Sequence, residues 1–322
     1  LFLEKSVENA ENARSHSLIE MVTVIIPTKN EAEGIRKVIE EIEEVGIPPE
    51  RIIVVDGHSS DGTADIAKDL GARVYIQRGT GKADAVKLGL RHVETKYAVV
   101  MDGDATYPAK FIPSLVERAE EEGCGLVLGA RKVGRDKIGI INRFGNWVIN
   151  KLFSLYFGAN LSDILTGMYL INVSRLKSTI FEMSGFSIEA EIVSHFVSMG
   201  EIVCELPIEY KERIGKKKLK VWHGFLIARD IVRLAWRYSP VSFILLLSAL
   251  LLIPGLVLGV YVAYYYFFLD INYYVKGIAA ITMTSSGFIA LILGILTLYL
   301  KRMEIRLKKM IESLESMISD SK

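Results

Sequence analysis

Tyr97-Ala-Val-Val-Met-Asp-Gly-Asp-Ala-Thr-Tyr-Pro108 decides how this chain is read: an apolar run, two aspartates one residue apart, then a turn. Tyr97 to Met101 has the length and the valine content of a buried strand. Alternation at its end puts Asp102 and Asp104 on the same side, and Gly103 lets the backbone turn tightly between them. Carboxylates converging at a strand end suit a hard divalent cation, Mg²⁺ or Mn²⁺, which could neutralise a diphosphate. Taken alone, the two aspartates also fit a solvated Asp-Gly turn.

Upstream the pattern is strand, helix, strand, helix. Val22 to Pro27 is a β-branched run, and Glu31 to Val45 follows with apolar Ile35, Val38, Ile39 and Ile42 at helical spacing. Arg51 to Val55 is a second strand, ending in Asp56-Gly-His-Ser-Ser-Asp-Gly-Thr63 before a helix from Ala64 to Leu70. Val74 to Ile76 is a third strand, and Gly79-Thr-Gly-Lys82 opens a helix reaching about Val93. Alternation of this kind predicts an α/β fold, a mostly parallel sheet with helices on both faces. Ligands bind such sheets beyond the strands' carboxyl ends, where Pro27 to Glu31, Asp56-Gly57 and Asp102 to Asp104 all fall.

The last third of the 322 residues is different in kind. Val241 to Leu269 and Ile278 to Leu300 are apolar runs of about 29 and about 23 residues, each long enough to cross a bilayer. Two buried helices of a soluble core are the competing reading. Arg229, Arg233 and Arg237 precede the first run and Lys301, Arg302, Arg306, Lys308 and Lys309 follow the second, while the connecting loop carries only Asp270 and Lys276. The excess of basic residues at both ends predicts a hairpin in a cell membrane, multi-pass, with both ends and the catalytic domain cytoplasmic. Basic residues grouped beside membrane runs, with a net charge of +1, argue against nucleic acid as a partner. Cys124 and Cys204 are the only cysteines, far apart in sequence and without metal-ligand spacing, which fits a reducing compartment and argues against zinc. Residues 1–20 are polar, lack sustained periodicity and precede the first clear strand; we read them as an extension outside the core fold.

Val22-Thr-Val-Ile-Ile-Pro-Thr-Lys-Asn-Glu31, Val54-Val-Asp-Gly-His-Ser-Ser-Asp-Gly-Thr63, Gly81-Lys82 and Asp102-Gly-Asp104 resemble, in order and spacing, the signatures of family 2 glycosyltransferases. Asp163-Ile-Leu-Thr-Gly167, Gly185-Phe-Ser-Ile-Glu-Ala-Glu191 and Arg213-Ile-Gly-Lys-Lys-Lys-Leu219 are similar to later signatures of the dolichol-phosphate mannose synthase and polyprenyl-phosphate glucosyltransferase branch. The resemblance implies a GT-A fold and inverting transfer of one sugar from a nucleotide-sugar donor to dolichyl or polyprenyl phosphate. It places Pro27 and Glu31 beneath the nucleotide, Asp56 at its base or ribose, and Lys82 near the base or diphosphate. Asp102 and Asp104 would bind the metal, and Arg213 and Lys216 would lie in a basic loop over the donor diphosphate. Arg131 and Arg143 match arginines that grip the acceptor phosphate, with Asp163 near the same site; as forked, permanently charged groups they suit it. For each of these the residues alone also allow a structural role: surface salt bridges for the arginines, a solvated charge run or a lipid-facing patch for the basic loop, and a turn cap for Asp163. The resemblance leaves the roles of Glu189 and Glu191 open.

Two departures bear on the donor. Thr106 stands where the mannose synthases have glutamine, and Asp56-Gly57 stands where they have paired acids, which favours UDP-glucose or UDP-N-acetylglucosamine over GDP-mannose. The processive polysaccharide synthases share the nucleotide domain but require a Gln-x-x-Arg-Trp segment, and Gln77 is the sole glutamine here. A nucleotide-sugar sensor or membrane scaffold is the non-catalytic alternative, disfavoured by the intact aspartate pair and arginines. Amphipathic helices at about 138–157 and 222–239, basic and bearing tryptophan, suit the headgroup layer of membrane lipids, and part of each equally suits the core of the catalytic domain. The organisation predicted is a catalytic domain over 21–221, an interface helix over 222–239, membrane helices within 240–300 and a basic tail over 301–322. Oligomeric state is open, a homo-oligomer among the options.

Overall fold

A computed structural model of the chain describes residues 17–134, 140–176, 188–214, 221–238 and 240–320. It divides into two compact units, Leu1–Ser154 with Gly158–Val232, and Leu155–Phe157 with Arg233–Lys322.

The first unit is built on a seven-stranded sheet of order β3-β2-β1-β4-β6-β5-β7. Its strands are β1 (Val22–Thr28), β2 (Ile52–Asp56), β3 (Arg73–Ile76), β4 (Tyr97–Val100), β5 (Leu126–Val133), β6 (Tyr169–Asn172) and β7 (Val203–Glu209). All pairings are parallel except those of β6, which runs antiparallel to both β4 and β5. Every residue of β2 and β4 is buried, as continuous apolar runs covered on both faces require. The reversed β6 matters for the site. Register pairs Val100 with Tyr169, so the carboxyl end of β4 meets the segment that enters β6.

The helices of this unit are α1 (Ala32–Glu44), α2 (Thr63–Asp69), α3 (Lys82–Leu90), α4 (Ile112–Glu122), α5 (Ile140–Phe157), α6 (Ile188–Ser198) and α7 (Val221–Tyr238), the last crossing into the second unit. α1 buries Ile35, Val38, Ile39 and Ile42 against the sheet, the stripe its spacing predicts. Residues 17–20 form a helical turn whose Ile19 is buried in the core and whose main-chain oxygen accepts a hydrogen bond from Arg51 Nη1 at 3.1 Å. The core thus begins before the Met21 boundary drawn from sequence, because a turn this short carries no periodic signal.

The second unit is a helical pair, α8 (Pro240–Leu269) and α9 (Tyr274–Asp320). Pro240–Leu269 and Tyr274–Leu307 are long and apolar enough to cross a membrane. Small residues bring the two helices together: a methyl added to Gly255 would lie 2.8 Å from Thr284 N, and one added to Gly287 would lie 2.7 Å from Leu252 N. Ser248 Oγ donates across this contact to the Gly287 carbonyl at 2.8 Å. The sequence reading ended the second run at Leu300 and made the rest a basic tail; the helix continues unbroken to Asp320. Charge ends the apolar run there without ending the helix.

Cys124 and Cys204 form a disulfide, with Cα atoms 6.1 Å apart. This corrects the reading that the two cysteines, far apart in sequence, mark a reducing compartment. Cys124 follows α4 and Cys204 lies on edge strand β7, whose register sets it beside Val127, a neighbourhood invisible across a sequence separation of 80. Closing so long a loop stabilises chiefly by constraining the unfolded chain. The double variant Cys124→Ser/Cys204→Ser is expected to lose about 4 kcal/mol of unfolding free energy, measured on purified protein by denaturant titration followed by circular dichroism. An unchanged midpoint would remove the staple from the account of stability.

Candidate active site

The site is assembled where the ends of β1, β2 and β4 meet the entry to β6. Loops after β1 and β2 interlock: Asn30 N donates to Ser59 Oγ at 2.8 Å, Ser60 N to Asn30 Oδ1 at 2.8 Å, and Ala32 N to Asp61 Oδ2 at 3.0 Å. Asp56 is buried at the end of β2 and accepts from the Ser59 main chain at 2.9 Å as well as from its hydroxyl. Pro27 sits on β1 in register with Val55, beside this turn.

Asp104 is the centre of the polar cluster. It is buried, and its Oδ1 accepts from the Thr106 hydroxyl at 2.6 Å, while Arg213 Nη1 reaches its Oδ2 at 3.1 Å. Ala105 adopts φ +59°, a left-handed conformation uncommon for a residue with a side chain, and this turn folds Thr106 back onto Asp104. Thr106 is fully buried, so its hydroxyl orients the carboxylate. Arg213 also donates from Nη2 to Glu31 Oε1 at 2.5 Å. Its segment is fixed by main-chain bonds, Lys211 N to Thr106 O at 2.8 Å and Ile214 N to Asp104 O at 3.1 Å.

Asp102 faces a second cation. Lys82 Nζ lies 2.6 Å from Asp102 Oδ1 and 2.6 Å from Glu189 Oε1. Gly81, at φ +85°, turns the chain so that Lys82 opens α3 at this point. Burial alone would lower the Lys82 pKa, but Asp102 and Glu189 outweigh it and hold the ammonium well above its usual value. Burial raises the Glu189 carboxyl despite Lys82. Burial, then the charge of Asp102, raises Asp104. Gly167 closes the wall: a methyl there would fall 2.1 Å from Asp102 Oδ2. Tyr107 holds Gly167 in place, its hydroxyl accepting from Gly167 N at 2.7 Å.

Arg131 and Asp163 are brought together, but with each other. Arg131 Nε and Nη2 donate to Asp163 Oδ2 and Oδ1 at 2.7 and 2.6 Å, and the guanidinium lies over Tyr210. That fork takes one edge of the guanidinium and Nη2 also donates to the Leu165 carbonyl at 3.2 Å, which among the described residues leaves Nη1 for a phosphate unless Asp163 lets go. Arg143 lies on α5 and, among the described residues, bonds to neither. Lys216 lies outside the described residues.

Carboxylates with a hydroxyl beside them form an all-oxygen set that fits a hard divalent cation. Thr28 Oγ1, Tyr169 Oη and Arg213 Nε are buried without a hydrogen-bond partner among the described residues. Thr28 Oγ1 lies near Gly103, Tyr169 feels the charges of Glu189, Lys82 and Asp102, and Arg213 bonds Asp104. Orphaned polar atoms gathered around one aspartate pair mark a place prepared for a polar ligand.

Residues 23–178 match the model of the family described as Glycosyl transferase family 2. The chain is 29% identical over 300 residues to Glycosyltransferase AglJ of Haloferax volcanii, covering 91% of this chain and 98% of that protein. It is 31% identical over 215 residues to the Dolichyl-phosphate hexose transferase of the same organism, covering 66% of this chain and 92% of that one. The chain belongs to glycosyltransferase family 2. Solved structures agree on the fold: glucosyl-3-phosphoglycerate synthase of Mycobacterium tuberculosis superposes with TM-score 0.56 at 21% identity, over 68% of this chain and 80% of that one. Mannosyl-3-phosphoglycerate synthase of Rubrobacter xylanophilus does so with TM-score 0.56 at 22% identity, over 67% and 73%. The sheet is the GT-A fold of a glycosyltransferase.

Within this glycosyltransferase the contributions of Tyr107, Gly167 and Tyr169 escaped sequence reading, and the role of Glu189 stayed open. Tyr107 stood next to the aspartates, and Gly167 and Glu189 stood within signatures already quoted; Tyr169 carried no such signal and is brought near by the reversal of β6. Gly167→Ala is expected to displace Asp102 and lower sugar transfer roughly a hundredfold, with divalent-ion affinity falling in parallel by calorimetry. A variant with full transfer would show that the wall yields. Because the Asp104 carboxyl is raised above its ordinary 3.8, protons compete with a cation at higher pH than usual. Divalent-ion affinity is therefore expected to be full near neutrality and to fall on acidification before an ordinary aspartate would titrate; titrations at successive pH values measure this.

Proposed function

We propose that this glycosyltransferase moves one hexose from a nucleotide-sugar to dolichyl or another polyprenyl phosphate at a membrane surface, with a divalent ion, Mg²⁺ or Mn²⁺, held by Asp102 and Asp104. The observation that carries the reading is the cluster itself. Two carboxylates face two cations, Arg213 and Lys82, at the carboxyl ends of the strands. Such a site takes up a dication and a doubly charged diphosphate without changing its net charge, and then leaves Arg213 free to turn to phosphate oxygens. The name of the Haloferax relative, a dolichyl-phosphate hexose transferase, supports the acceptor, and the two apolar helices support a membrane location. A glucosyl-3-phosphoglycerate synthase with the same fold has been solved with Mn²⁺ and UDP, which supports a divalent ion.

In this reading the bound ion supplies positive charge to the leaving diphosphate. Arg213 adds a second charge from a segment locked to the aspartate turn, and Lys82 keeps Asp102 aimed while Glu189 holds Lys82. The acceptor phosphate is already anionic near neutral pH and needs little help from a base. Its oxygen forms the new bond to the anomeric carbon as the bond to the nucleoside diphosphate breaks, inverting that centre. Arg143 and the open edge of Arg131 orient it, with Asp163 setting the pose of Arg131. The UDP-sugars UDP-glucose and UDP-N-acetylglucosamine are the donors favoured, GDP-mannose the alternative. The catalytic domain would face the cytoplasm.

The test is transfer of radiolabel from UDP-glucose, UDP-N-acetylglucosamine and GDP-mannose to dolichyl phosphate in isolated membranes, with and without EDTA. Label is expected in the lipid phase from one UDP-sugar, abolished by EDTA and reduced at least about a hundredfold by Asp104→Ala. Label from GDP-mannose alone would overturn the donor choice. No lipid label from any donor would overturn the acceptor.

A further inference from the structure

The part of α9 that outruns the membrane hairpin carries a regular apolar stripe. Leu300, Met303, Leu307, Met310, Leu314 and Met317 recur at alternating intervals of three and four, the a and d positions of a heptad, and every charged residue between 301 and 320 falls elsewhere. Leu300, Met303, Leu307, Met310 and Leu314 are 42–60% exposed. The face that α9 turns to α8 is a different one, marked by Ala280, Gly287 and Gly294, and the stripe lies well round the helix from it. At the last of these contacts Gly294 meets Ile244 and Leu245, a few residues from the start of α8 at Pro240. Beyond Lys301 about 20 residues, or about 30 Å of helix, run past α8's first residue.

We infer that this stripe is covered by the same stripe of a second copy of the chain, in a parallel two-stranded coiled coil. Insertion in one orientation brings the two copies' membrane helices to the same height, so their stripes emerge parallel and in register. No glycine or proline follows Gly294, so the helix has no hinge with which to lie down on the lipid surface. Charge points the same way: Lys301, Arg302, Arg306, Lys308 and Lys309 stand next to the membrane, while the far end carries Glu312, Glu315 and Asp320, which an anionic lipid surface would repel. A seam this short is marginal between free helices, and tethering in one membrane raises the effective concentration enough to close it. The inference rests on the membrane reading of α8 and α9 but not on the reaction or the donor.

Single cysteines report the seam in isolated membranes under mild oxidation. Leu307→Cys and Met310→Cys are expected to give a disulfide-linked species of doubled mass, severalfold more than Arg302→Cys, which points away from the stripe. Introducing Leu307→Asp with Leu314→Asp should abolish crosslinking at Met303→Cys and halve the mass of the purified particle by light scattering, while sugar transfer persists. Equal crosslinking at Leu307, Met310 and Arg302, or a single-chain mass for the unaltered protein, would overturn the coiled coil. Protein recovered in the soluble fraction would remove the membrane premise and with it the inference.

Discussion

Two carboxylates held one residue apart at the end of a buried strand repel each other, and the arrangement of the first unit answers that repulsion. Lys82 answers Asp102 and Arg213 answers Asp104, each at close range and each tied to a further acid, Glu189 or Glu31. Burial makes the arrangement stringent, since an unpaired charge there would shed or take up a proton. The result is a small lattice of alternating charge drawn from five separate stretches of chain. Of its members, the two cations could turn toward a phosphate.

The fold supplies this lattice through a departure from regular alternation. An all-parallel sheet would put only strand ends beside Asp102. Reversing β6 sends Gly167 and Tyr169 there instead, a residue with no side chain against the carboxylate and a ring behind it. Meanwhile the left-handed turn at Ala105 directs Asp104 toward the segment that follows β7. Each device spends some conformational freedom, and both lie within a few residues of the acidic pair, where strain is commonly tied to function.

Much of this was legible in advance. The first four strands, the helices of the first half and both apolar helices follow from periodicity, and Asp56, Asp102 and Asp104 from their place at strand ends. Arg213 was legible only as part of a basic run that could as well have met lipid; its pairing with Asp104 needed β7 to be placed. Arg131 and Asp163 were read as neighbours of one acceptor, yet the salt bridge between them depends on the path between β5 and β6, which carries no repeating pattern. Cys124 and Cys204 show the same limit, because strand register, not spacing, joins them. The long reach of α9 was hidden by its charge, which marks where an apolar span ends and says nothing of where a helix ends.

The hold on the Arg213 segment passes through main-chain atoms at Thr106 and Asp104. Such an anchor is blind to side-chain identity. The residues of that segment around Arg213 are therefore free to drift over evolution, or to be exchanged by an engineer, while the backbone keeps Arg213 in its place above the aspartates. A family that serves many donors can retune what it accepts in this way, revising chemistry at a fixed address rather than rebuilding the loop that bears it.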